Sequence, residues 1–127
     1  MARIPRTNRV VRTRAGGEWT EAAFWSFLRS GLRQMSLRWP PRKHAENLSR
    51  RPYVGENKRR KWEYQCAMCK EWFAFSDTQV DHKNECGALS SFADLSVFAE
   101  RLFCESDGFQ VLCAKKCHKR KRKRKSR

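Results

Sequence analysis

The sequence predicts a small α+β domain stapled by zinc, with an N-terminal helix, an inserted helix and basic disordered ends. Three observations carry that prediction. Two cysteine pairs, Cys66/Cys69 and Cys113/Cys117, stand at metal-ligand spacing. Two stretches, 18–39 and 89–103, repeat apolar residues at three- and four-residue steps, the period of a helix with one buried face. Short runs of bulky residues at 62–65, 78–82 and 109–112 read as strands. At 127 residues the chain makes one domain. A core of roughly 100 ordered residues is a size at which a metal staple is a common remedy.

The charge is arranged in blocks. The net charge is +16, and the two ends carry fifteen of those charges, leaving +1 for residues 18–114. Residues 1–17 hold Arg3, Arg6, Arg9, Arg12 and Arg14 with no acid, and ten of the last thirteen residues are Lys or Arg. Within the middle, residues 29–61 carry eleven basic groups against Glu46 and Glu56, whereas residues 66–114 carry three against eight acids. Such a balance points to a polyanionic partner. It also points to a cation inside the acidic module, which would otherwise repel phosphate. There is no apolar run of about 20 residues to span a membrane, and no apolar stretch follows the first charges as in a secretory signal. The expected location is therefore cytoplasmic, where paired cysteines are reduced metal ligands and not disulfides.

Taken in order, residues 1–17 read as a basic disordered arm and residues 18–61 as a helix followed by a basic linker. The helix opens at Glu18 or Thr20, sets Trp19, Ala22, Ala23, Phe24, Phe27, Leu28 and Leu32 at helical spacing so that one face is apolar, and is stopped by Pro40-Pro41. The linker allows a short helix after Arg42, and Pro52 and Gly55 mark a loop; His44 is a surface residue. Residues 62–121 form the metal-bearing domain. A strand leads into Cys66, Trp72, Phe73 and Phe75 cover the knuckle, and residues 78–82 form a strand ending in Asp81-His82. The inserted helix carries Leu89, Phe92, Leu95, Phe98 and Leu102, with Ser90 or Ser91 and Asp94 spaced as a capping box. Residues 105–108 turn the chain into the strand before Cys113, and a last helix near Ala114 carries Cys117 and His118 into the basic tail, residues 122–127.

Four thiolates at C-x-x-C and C-x-x-x-C spacing are a tetrahedral zinc set with every coordination position closed, so this ion is structural. Cys86 and Cys104 are left over as bystander thiols. Asp81, His82 and His118 form a separate constellation. One carboxylate and one imidazole with open water positions suit Mg²⁺ or Mn²⁺. Asp81 and His82 are adjacent on a strand and leave from opposite faces, so one can hold metal while the other addresses substrate.

The string C66-x-x-C69…V80-D81-H82…L112-C113…C117-H118-K119-R-K121 resembles the HNH endonucleases, with their ββα-metal motif. The stretches L28-R-S-G-L-R-Q-M-S-L-R-W-P-P and F98-A-E-R-L-F-C look like those of small bacteriophage members. The resemblance covers about residues 27–121. It implies that His82 is the general base that activates water and that Asp81 and His118 hold one divalent metal at the scissile phosphate. It also implies DNA as the substrate, products with 5′ phosphate and 3′ hydroxyl, and a structural zinc on the four cysteines. If the chain is phage-encoded, its site of action is the host cytoplasm. Gly108, preceded by Asp107, stands where the family usually has an asparagine, and Cys113 and Cys117 are one residue further apart than in its usual C-x-x-C-H.

The basic groups expected to contact DNA are Arg33 and Arg38 on the first helix, Lys58, Arg59, Arg60 and Lys61 in the linker, and Lys119, Arg120, Lys121 and Arg122 in the tail. Two function classes follow: a metal-dependent HNH endonuclease that nicks or cuts DNA, and a catalytically inactive zinc-stabilised nucleic-acid-binding protein. Asp81-His82 separates them, since a zinc module alone needs neither residue.

Overall fold

Thr20 starts the first ordered helix by accepting a 3.0 Å hydrogen bond from the Ala23 N–H through its hydroxyl. The computed structural model describes residues 11–119 and 121. Helix α1 spans Glu21–Ser36, with acidic Glu21 in its first turn and basic Arg33 in its last, both favourable to the helix dipole. It stops three residues short of the expected end because Leu37 and Arg38 turn tightly back onto the Gln34 and Met35 carbonyls. Pro40-Pro41 then opens a second helix, α2 (Pro40–Leu48), besides closing the first. Proline suits the first helical turn, where its missing N–H is unneeded. The junction is pinned by the Trp39 indole N–H, which donates to the Cys104 carbonyl at 2.6 Å.

The basic arm expected over residues 1–17 is partly folded, which corrects the expectation for residues 14–17. Arg14 and Trp19 bridge across a turn in which Ala15, Gly16 and Gly17 all take positive φ. The Arg14 guanidinium pairs with Glu21 at 2.7 Å and lies 4.6 Å from the ring centre of Phe24, capping the aromatic end of the core. Residues 1–10 and 122–127 lie outside the described residues.

The linker also contributes structure. β1 (Arg50–Pro52) pairs antiparallel with β2 (Trp62–Gln65), which pairs antiparallel with β3 (Trp72–Phe73). Pro52, expected in a loop, is instead the last residue of an edge strand, where a missing N–H is tolerated. A second, two-stranded sheet joins β4 (Thr78–His82) to β5 (Phe109–Cys113), with Thr78 opposite Cys113 and His82 opposite Phe109. The inserted helix is shorter than the apolar repeat suggests. A 3₁₀ turn at Phe92–Asp94 leads into α3 (Leu95–Leu102). Asp94 accepts from both the N–H and the hydroxyl of Ser90, so one half of the anticipated capping box forms.

Burial divides into two clusters. One packs Trp25 of α1 against Cys86, Leu89, Phe98 and Leu102; the other gathers Leu112 around Cys66, Cys113 and Cys117. Cys86 thus serves the apolar core. Gly108 has a steric reason: a Cβ there would lie 2.5 Å from the Cys104 sulfur and 2.9 Å from its Cβ. An asparagine does not fit this turn unless Cys104 moves. Helical Gly31, by contrast, has open space around its would-be Cβ. Gly108→Ala is therefore expected to destabilise the chain by about 1–3 kcal/mol, the cost of overpacking, and Gly31→Ala to stabilise it by about 0.5–1 kcal/mol. Thermal melts of both variants check the pair of signs.

Candidate functional site

The two cysteine pairs meet because one backbone hydrogen bond crosses between the sheets. Ala67 N–H, just past β2, donates to the Val111 carbonyl of β5 at 2.8 Å. Cys66 and Cys69 lie on a knuckle closed by Lys70 N–H to the Cys66 carbonyl at 3.0 Å, with Lys70 itself at φ +64. Cys113 ends β5, and a turn over residues 114–116 returns Cys117, whose N–H donates to the Cys113 sulfur at 3.3 Å. The extra residue in this half is absorbed by that turn. All four sulfurs lie within 4.8 Å of one another, and Cys69 and Cys113 are 4.0 Å apart. A tetrahedron of zinc–sulfur bonds has edges of about 3.8 Å, so the four cysteines are close enough to hold a metal ion such as zinc.

Their acidities differ. Burial opposes ionisation of Cys66, but hydrogen bonds from the backbone of Cys69, Cys113 and Met68 overcome it and draw the thiol down to about 6. Burial and the neighbouring sulfurs push Cys117 up to about 12, and Cys69 is also raised. A divalent ion lets all four be thiolates together, releasing protons as it binds.

Asp81, His82 and His118 border one cavity of about 310 Å³, walled by the end of α1, the start of α2 and the last turn of α3. His82 is half-buried. Its Nε2 lies 3.0 Å from the Leu102 carbonyl at the C-terminus of α3, and its ring meets Phe109 at 4.8 Å. That carbonyl can only accept, so Nε2 carries the proton and Nδ1 keeps its lone pair. Burial, with Arg42 and Arg33 adding to it, lowers the His82 pKa; the Leu102 bond and Asp81 oppose them.

Asp81 is held by Lys121, whose ammonium is 2.5 Å from Oδ2 and also donates to the His82 carbonyl. Lys121, expected among the DNA-contacting groups of the tail, is turned inward, which corrects that assignment. The physical reason is a partly buried carboxylate within reach one helical turn beyond His118. Of the other basic residues, Arg33 borders the cavity, while Arg38, Lys58, Arg59, Lys61 and Lys119 are exposed. Arg60 stacks on Tyr53 at 4.2 Å and donates to the Trp62 carbonyl. Arg120 and Arg122 lie outside the described residues.

One cavity residue escaped sequence reasoning. Arg42, in the first turn of α2, donates from Nη2 to the Val80 carbonyl at 3.1 Å and lies over the Phe109 ring at 5.7 Å. Within a basic run nothing marked it out; the signal was its place just inside a helix opened by Pro40-Pro41.

Compared with known proteins, the chain matches no family model, no curated protein and no solved structure. No helix among the described residues is long and apolar enough to cross a membrane.

Elemental analysis of purified chain is expected to find one tightly held thiophilic metal ion, and Cys113→Ser to abolish it together with cooperative unfolding. Retention of metal and of the melt by Cys113→Ser would contradict the cluster's role.

Proposed function

We propose that this chain is a metal-dependent endonuclease of the HNH type that hydrolyses DNA phosphodiester bonds, nicking or cutting the duplex. The observation that carries the reading is the placement of His82: its Nε2 is held at the Leu102 carbonyl, and the residue lines a cavity that Asp81 and His118 also line. Nδ1 takes the proton from the attacking water, the role of a general base. Asp81 and His118 would hold Mg²⁺ or Mn²⁺, since both are hard or borderline donors suited to such ions. When bound, that ion polarises the phosphate and stabilises the departing 3′ oxygen. The zinc on Cys66, Cys69, Cys113 and Cys117 anchors the strand and the turn from which His118 projects. The exposed basic groups Arg38, Lys58, Arg59, Lys61 and Lys119 bind the DNA backbone, giving affinity that falls steeply with salt.

A second reading is favoured by Lys121. An ammonium on Asp81 already balances that carboxylate, as expected of a non-catalytic nucleic-acid-binding relative. The two readings part on Lys121→Met. If Lys121 merely competes for Asp81, its removal tightens Mn²⁺ binding, measured by titration calorimetry; if Asp81 is no ligand, affinity is unchanged.

A plasmid-nicking assay tests the activity itself. Wild-type protein is expected to cut with Mg²⁺ and not with chelator, and His82→Ala to lose about 10²–10⁴-fold in rate. Because the folded pKa of His82 is lowered, its neutral form persists to pH values under the ordinary imidazole value of about 6.5. Cutting should therefore be flat through neutral pH and fall only on the acid side of that value. Equal cutting by His82→Ala would overturn the mechanism.

A further inference from the structure

We infer that Arg42 and Arg33 form an anion subsite in the Asp81–His82–His118 cavity, built to grip the phosphodiester group of a nucleic-acid strand. The inference rests on the hydrolytic reading for its substrate but on separate residues for its argument. Arg42 is positioned, not free. Its Nη2 closes onto the Val80 carbonyl on the outer edge of β4, one residue before Asp81, and the aromatic ring beneath it, Phe109, is the one that packs against His82. Arg33 reaches the same cavity from the last turn of α1, over Phe98 at 5.5 Å. Neither guanidinium forms an ion pair with a carboxylate among the described residues.

The contrast with the other arginines is informative. Arg14 and Arg51 bond Glu21 and Glu63 at 2.7 and 2.5 Å, so their charge is matched inside the fold. In the cavity, Asp81 is already matched by Lys121. Two guanidinium groups thus line a cavity with no second carboxylate on its wall. A guanidinium presents a planar fork of donors that fits phosphate oxygens in pairs, whereas an ammonium acts as a point charge. A group held against β4 also needs no reorganisation as charge develops on phosphorus, the condition under which such donors stabilise a transition state.

The test uses the full-length chain and the dinucleotide dTpdT, which offers a single phosphodiester. The Nε–Hε resonances of Arg33 and Arg42 are expected to shift and saturate together on titration, while that of Arg38, exposed outside the cavity, stays still. Arg33→Lys and Arg42→Lys should each weaken dTpdT binding by about threefold to tenfold, the worth of one or two net hydrogen bonds. Arg42 also ties α2 to β4, so Arg33→Lys, which breaks no backbone contact, keeps the test decisive if Arg42→Lys unfolds. Unmoved Arg33 and Arg42 signals, or Arg33→Lys affinity equal to wild type, overturn the subsite even if plasmid is cut. Shifts at both arginines in a protein that cuts nothing would sustain the subsite and defeat the nuclease reading.

Discussion

The four sulfurs around one point are the constraint on which the rest of this small domain depends. They join two sheets that otherwise share little: the knuckle between β2 and β3 on one side, the end of β5 and the turn beyond it on the other. Because Cys117 is drawn to the cluster, the next residue, His118, projects toward the end of β4. Three of the four cysteines are almost wholly buried with Leu112. Buried thiols without a metal give little folding energy, whereas thiolates on a structural zinc contribute it directly, on the order of 10–16 kcal/mol in small zinc domains.

The second cluster does a different task. Trp25, Leu89, Phe98 and Leu102 hold α1 against α3, and that contact brings the final carbonyls of α3 to the imidazole of His82. The bend at Trp39, fastened to the Cys104 carbonyl, swings α2 across β4 and delivers Arg42 to the same cavity. A helix C-terminus has carbonyls without intrahelical partners, so the Leu102–His82 bond satisfies an acceptor and selects a tautomer together. The same packing that stabilises the fold therefore sets the protonation of the proposed base.

Elements with local chemistry were legible in the sequence. β4 lies over Thr78–His82 as the alternation predicts, β5 extends the predicted run only to Cys113, and Thr20 caps α1. The cysteine cluster was legible because ligand spacing is a short-range code. What was not legible depended on contacts distant in sequence. Pro40-Pro41 reads equally as a stop and as a start, and only the docking of α2 decides. β1 looks like polar linker because an edge strand needs no apolar alternation. Gly108 could not be understood without Cys104 beside it, and Lys121 in a basic tail gives no hint that Asp81 will claim it.

The central proposal is that Asp81 and His118, which line one cavity, share one divalent ion beside an unprotonated His82 nitrogen. Crystals soaked in Mn²⁺ and measured at the manganese absorption edge test it most directly. The account predicts an anomalous peak bonded to an Asp81 carboxylate oxygen and a His118 ring nitrogen, with Lys121 displaced from Asp81 and His82 off the metal. Manganese absent from this cavity, with Lys121 still on Asp81, would contradict it.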